Sequence, residues 1–190
     1  MTAEDGAARK PVASPDEARR IFNTPRSKSY DLIIIGGGSA GLSAAGLAVT
    51  LGGHVALLER DKLGGECLYT GCVPSKALLH IARTAALIRD ARKQGLSAQL
   101  APIDLGAVAD AVQRAIDAVY VESDAPEHYA HMGVEVLIGE PRFVSSRAVS
   151  INGHTLSAKG FLIAAGSHPA IADMPGLREA GFLTNETIFA

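Results

Sequence analysis

The chain has 190 residues, 47% of them hydrophobic, so it can bury one good core. Its 18 basic and 20 acidic side chains leave a net charge of −2, and aromatics are only 5%, which excludes the basic, base-stacking surface of a nucleic-acid binder. The first 29 residues hold no apolar h-region and no run is long enough to span a bilayer, which argues against a secretory signal or a membrane helix and makes a reducing cytoplasm the default compartment.

Residues 1–28, punctuated by Pro11, Pro15 and Pro25, read as a flexible extension with one helical turn around residues 16–20 and no assigned chemistry. Residues 29–190 read as one domain. Tyr30-Asp31-Leu32-Ile33-Ile34-Ile35 is a β-branched run expected of a central parallel strand buried on both faces. It ends in Gly36-Gly37-Gly38-Ser39-Ala40-Gly41, followed by a small-residue helix over 42–51 and a second strand over 54–58 that closes on Glu59. Strand, G-x-G-x-x-G, helix, strand and acid together make a dinucleotide-binding unit. Gly36 permits the tight turn, Gly38 lets backbone approach a diphosphate, and Gly41 lets the helix lie close on the strand. The helix start, with Ser39 and Ala40, then offers free N–H donors. Glu59 can accept from ribose hydroxyls, and as an acid it is a poor host for a 2′-phosphate, which argues against NADP at this site.

The next stretch runs from Gly64-Gly65-Glu66-Cys67 to Gly71-Cys72-Val73-Pro74-Ser75-Lys76 and holds both cysteines of the chain, with four residues between them. A compact turn would bring them within bridging reach, but so short a loop gains little as a structural staple. Pro74 suits a first helical position, so Cys72 should sit where the helix start favours a thiolate. Cys67, expected nearer the surface, is then the candidate for thiol exchange. Two free core thiols or half of a zinc site are the competing readings, and the spacing is poor for zinc. Taken alone, the pair leaves inert and redox roles open. No metal site is assigned.

Residues 77–94 then read as an amphipathic helix with Leu78, Leu79, Ala82, Ala86 and Leu87 on its core side. Pro102 opens a second long helix, 103–131, with Val108, Val112, Ile116 and Val119 at helical spacing. His128 and His131 fall on its solvated face. Gly133 ends it. A strand over 134–138 follows, then short strands over 142–145, 148–151 and 154–157, with an Asn152-Gly153 hairpin turn. A last strand over 160–163 leads into Ala164-Ala165-Gly166-Ser167, where small residues allow close backbone approach.

With these motifs in view, the chain from about Tyr30 onward resembles the pyridine nucleotide-disulfide oxidoreductases, the flavoprotein disulfide reductases. It leans towards their mercuric-reductase-like and dihydrolipoamide-dehydrogenase-like members. The most specific match is G-G-x-C-x-x-x-G-C-V-P-S-K at residues 64–76. The resemblance implies an α/β, Rossmann-like FAD-binding domain with a parallel sheet, flanking helices and a small antiparallel β patch. It implies FAD as cofactor and Cys67-Cys72 as the redox disulfide, Cys67 attacking substrate and Cys72 facing the flavin. It further implies cofactor contacts from Gly36, Gly38, Ser39, Ala40, Gly41, Glu59, Arg60, Gly65, Glu66, Gly71 and Lys76, and from Gly139, Glu140, Ala164, Ala165 and Gly166. Electrons would pass from NAD(P)H to FAD, to the disulfide, and to a small-molecule, thiol or metal-ion substrate.

Three departures stand out. Glu66 replaces a frequent Thr, Tyr69 replaces a frequent Asn, and A-A-G replaces A-T-G with the loss of a hydroxyl. Glu66 brings a carboxylate near the expected diphosphate and is tolerable if it turns to solvent. One G-x-G-x-x-G is present, and residue 190 falls about where relatives enter their nicotinamide domain. The expectation is therefore an N-terminal FAD domain with little turnover by itself, using NAD(P)H, and pairing as a homodimer, in a full-length context. The alternative readings are a non-catalytic FAD- or dinucleotide-binding module and an NAD-binding dehydrogenase with incidental cysteines.

Overall fold

The structure, a computed structural model, describes residues 15–189; Pro11 and the rest of the first fourteen residues lie outside it. Its strands are β1 (Ser29–Ile35), β2 (Val55–Glu59), β3 (Glu135–Ile138), β4 (Arg142–Ser145), β5 (Ala148–Ile151) and β6 (His154–Ile163). They form one sheet in the order β3-β2-β1-β6-β5-β4. The β-branched β1 runs parallel to both neighbours, with Ile34 beside Leu57 on one side and Leu162 on the other. The expected antiparallel patch is present as β4, β5 and the start of β6. The two strands expected over 154–157 and 160–163 are a single strand. The first half of β6 pairs antiparallel with β5, and the strand from Ser157 on pairs parallel with β1. No turn residue forces a break between the two, and Gly160 sits in open contact with Leu32.

Helix α2 (Ser39–Thr50) covers one face of the sheet, where Leu42 and Ala45 pack with Ile34, Val55, Leu57 and Val136. On the second face the core is closed by strand residues, with Val149, Ile151 and Leu156 against Ile33, Ala56, Leu58 and Leu137. Ile33, Ile34, Leu57 and Leu58 are completely buried, each contributing about 1.5–3 kcal/mol over an exposed position.

A second helical layer consists of α3 (Gly65–Tyr69), α4 (Cys72–Asp90) and α5 (Leu105–Val119). The α4 helix begins five residues before the expected start and gives way to a 3-10 turn at Ala91–Gln94. Pro74 therefore stands at the third helical position, where its missing N–H leaves no intrahelical bond unmade. The expected inner stripe of α4 is also displaced. Val73, Ala77 and Ile81 pack against Leu68, Val112 and Ile116, while Leu79 and Leu87 are exposed. Beginning the helix at Cys72 puts the 73/77/81 row against α5.

The long helix expected over 103–131 is two helices. Asp104, rather than the Pro102-Ile103 pair, caps α5, its Oδ1 accepting from the amides of Gly106 and Ala107 at 2.9 and 3.4 Å. After a π turn at Tyr120–Asp124, Ala125 is extended and α6 (Pro126–His131) begins. Pro126 causes the break, because its ring disfavours a helical residue before it. His128 and His131 are exposed, as expected, and Gly133 ends α6 at φ +98°. A short α7 (Leu177–Ala180) follows the sheet. Among the described residues no helix is long and apolar enough to cross a membrane.

From Pro15 to the start of β1 the chain packs onto the domain. Helix α1 (Pro15–Ile21) buries Ala18, and Phe22 packs into the α2-side core. The Phe22 carbonyl accepts from the Ile138 amide at 2.7 Å, tying this segment to the end of β3. The partner lies more than a hundred residues away, so no local pattern announced it.

Candidate functional site

Where β1 ends, the glycine loop turns with no room for side chains. Gly36 has φ +109°, and a Cβ there would lie 2.1 Å from the Ala164 carbonyl oxygen. A Cβ on Gly41 would lie 1.8 Å from the Gly36 oxygen, so the α2 start is seated directly on the loop. Gly38 is the N-cap of α2 and makes no side-chain capping bond. The first-turn amides around Ser39, Ala40 and Gly41 thus have no side-chain acceptor at the cap, the arrangement that binds a diphosphate.

The two glycines that lead the cysteine stretch lock onto this loop. Gly64 donates to the Gly37 carbonyl at 2.9 Å and bridges Gly38, and a Cβ on Gly65 would lie 2.6 Å from the Gly38 Cα. That contact explains why G-G precedes the cysteines: it places α3, and Cys67 within it, beside the phosphate-type turn. Cys72 is the first residue of α4, reached through Thr70 and Gly71.

Both cysteines are free thiols, and they lie close enough for Cys72 to act on the Cys67 thiol. The Cys67 pKa is raised, first by its hydrogen bond to Cys72, then by burial and the Cys72 charge; a hydrogen bond from Ser39 works the other way. The expected order of exposure is reversed. Cys67 is half-buried, between Ser39 and the α4 start, whereas Cys72 is exposed. Lying inside α3, which Leu68 anchors against α5, shelters Cys67; the first turn of α4 opens Cys72 to the groove.

Three adjoining clefts run along the strand ends. The first, about 390 Å³, is lined by Cys67, Cys72, Gly71, Ser39, Ala40 and Ala164 among others. The second, about 360 Å³, shares Gly38, Glu66, Ala164 and Gly166 with it and adds Gly36, Glu59, Gly65, Ala165 and Arg60. The third, about 580 Å³, shares Arg60 and ends at Gly139 and Glu140. The sequence-derived residues are therefore brought together along one groove, with two exceptions. Gly41 is buried beneath the loop on the Gly36 oxygen, outside the linings. Lys76 is exposed on α4, one turn beyond Cys72, outside these three linings.

Glu59 does more than the sequence suggested. Its two oxygens accept from the Gly37 amide at 2.7 Å and the Asp61 amide at 2.8 Å, so it braces the loop while each oxygen keeps a further lone pair. Glu66 turns towards the C-terminal segment, accepting from Asn185 Nδ2 at 3.1 Å. Beside it His168 Nδ1 meets Glu186 at 2.6 Å on the wall of the middle cleft. Tyr69 donates to the Leu63 carbonyl at 3.0 Å, and the Lys62 ammonium lies 3.7 Å from its ring centre. Its phenol is pushed up, chiefly by burial.

Sequence reasoning missed Arg19, Asn23 and Asn152, which wall the third cleft. Asn152 was legible only as a hairpin residue. It holds φ +50°, and its Nδ2 donates to the carbonyls of Ile138 at 2.9 Å and Asn23 at 3.1 Å. A Cβ on Gly139 would lie 2.2 Å from the Asn152 Oδ1, so Gly139 is the residue that admits this clamp.

Comparison with known proteins agrees with this geometry. Residues 30–188 match the pyridine nucleotide-disulphide oxidoreductase family. The chain is 34% identical over 175 residues to a mercuric reductase of Staphylococcus aureus, covering 91% of this chain and 31% of that protein. It is 39% identical over 144 residues to a dihydrolipoyl dehydrogenase of Thermus scotoductus, covering 75% and 30%. To a glutathione reductase of a Nostoc species it is 31% identical over 160 residues, covering 83% and 34%. The chain thus spans about a third of the length of these relatives. Matched over nearly all its described residues, and carrying the interlocked glycine loop and cysteine pair, the chain belongs to the pyridine nucleotide-disulphide oxidoreductase family.

Proposed function

We propose that the chain holds FAD along the groove and uses Cys67 and Cys72 as the redox disulfide of a flavoprotein oxidoreductase. The observation that carries this is the continuity of the groove from the Gly139 end, past the glycine loop, to the two thiols. The residues fit such a group. The glycine cradle leaves backbone amides uncapped at the α2 start, Glu59 keeps acceptor capacity for hydroxyls, and both thiols open on the same cleft.

Bound FAD would supply the two-electron exchange between a hydride donor, NAD(P)H in the whole protein, and the sulfur pair. The chain's part is to hold sulfur and proton in place. Reducing the disulfide breaks the S–S bond and takes up two electrons and two protons. Cys67 then keeps its proton, donated in a hydrogen bond to Cys72, and Ser39 donates to the Cys67 sulfur. Transfer to a substrate reverses the balance: two electrons leave and the S–S bond re-forms. A disulfide or a thiol-bound soft metal ion is the proposed substrate class, approaching Cys67. Lys76, at the i+4 position from Cys72, is proposed to add a cation on that helix face. A reducing compartment such as the cytoplasm suits this pair of free thiols.

The test is the visible spectrum of the purified protein with FAD during stepwise dithiol reduction. A long-wavelength charge-transfer band that is lost in Cys72→Ser is expected. Bound flavin without such a band would leave a passive dinucleotide-binding module, and preferential binding of NAD would overturn the flavin reading.

A further inference from the structure

The third cleft takes two of its walls from residues that precede β1. Helix α1 supplies Arg19, and the turn after it supplies Asn23. These residues are fixed by bonds to the groove itself. Arg19 reaches Asp61 just beyond the β2 end at 2.7 Å. The Phe22 carbonyl is held by Ile138, and the Asn23 carbonyl by Asn152. Arg26 adds a backbone hydrogen bond to the Glu135 carboxylate.

The charge of the cleft says what it suits. Arg19 is paired with Asp61, and Glu140 with Arg142 at 3.4 Å, so these two lining residues bring little net field for a phosphate, and Arg60 adds the one further cation of the lining. It presents planar guanidinium groups at Arg19 and Arg60, which stack on aromatic faces. Asn152 has spent both N–H groups, leaving its Oδ1 as an acceptor. A neutral, flat ring with an exocyclic amine matches that set.

We propose that α1 and the turn after it form a clasp over the adenosine end of the dinucleotide, with Arg19 and Asn23 as binding residues supplied from outside the Rossmann unit. This rests on the dinucleotide reading above and extends it to a wall of the site which that reading does not need.

Limited trypsin digestion of the full chain reads the clasp directly, because Arg19 and Arg20 are exposed cleavage points. Saturating ADP is expected to slow cleavage there tenfold or more, whereas inorganic pyrophosphate leaves the rate unchanged. Arg19→Gln is expected to weaken ADP binding about tenfold. Lys159→Gln, which breaks an exposed ion pair with Asp31 far from the cleft, is expected to leave it within twofold. Equal protection by pyrophosphate, no protection by ADP, or unchanged ADP affinity in Arg19→Gln overturns the clasp. ADP protection without flavin binding would sink the FAD reading and keep the clasp; flavin binding without ADP protection would do the reverse.

Discussion

The two ends of the groove are built on different principles. Around the glycine loop, backbone meets backbone: Gly36 against Ala164, Gly41 on Gly36, Gly65 on Gly38, each at a separation that a single methyl would violate. At the Gly139 end, backbone segments are held apart and bridged by side chains, with Asn152 and Arg19 spanning the gaps. The first kind of site is all-or-none, since interiors do not yield to added volume without strain. The second is graded, because each bridge can be removed singly.

The largest effect that would expose this difference is Gly36→Ala, set beside Gly52→Ala. Both glycines have positive φ, but a Cβ at Gly52 meets nothing within 4 Å. The loop substitution is expected to cost about 3 kcal/mol or more, a fall in Tm of roughly 6–12 °C for a chain of this size. The Gly52 substitution is expected to cost about 1 kcal/mol. Equal melting temperatures for the two variants would erase the distinction.

A smaller effect is expected from Asn152→Gly, which keeps the positive φ and removes only the bridging amide. Loss of its two hydrogen bonds should cost about 1–3 kcal/mol, read by denaturant unfolding, and should speed tryptic cleavage near residues 19–26. Unchanged cleavage there would mean that the Phe22, Arg19 and Arg26 contacts hold α1 without the Asn152 amide.

Smallest is the effect of Cys72→Ala on its neighbour. The Cys67 thiol is raised first by its bond to Cys72, then by burial and by the charge at Cys72. Removing Cys72 should therefore move the pH profile of Cys67 alkylation to lower pH. A profile that stays put would leave burial as the governing cause and weaken the picture of a proton held between the two sulfurs.

The contrast also explains what the sequence disclosed. The glycine loop, α2, β2 and Glu59 form one local run in which strand period, small residues and a terminal acid all agree, and the structure follows that run closely. The cysteine stretch was legible for the same reason, its chemistry being written in adjacent residues. Exposure of the two sulfurs was not, because Cys67 is sheltered by Ser39 and by α3's anchorage on α5, contacts made across the chain. The break at Pro126 did have a local signal, but the apolar stripe of α5 carried the helical reading through it. The docking of α1 and the clamp role of Asn152 depend on partners more than a hundred residues apart, and hydrophobic period carries no trace of them.

The double pairing of β6 also orders the assembly of the molecule in time. β1 and β2 pair across the short α2 crossover, Leu32 beside Val55, and β4, β5 and the first half of β6 pair through tight hairpins. Joining β1 to β6 instead closes the whole intervening chain, bringing Ser29 beside Ser157 and Ile35 beside Ile163. Loop-closure entropy delays such a pairing until both local units exist. Gly36 stands on one of those units and Ala164 on the other, so the groove is completed only when the two units join. A chain halted one step short would have both units formed and no groove between them.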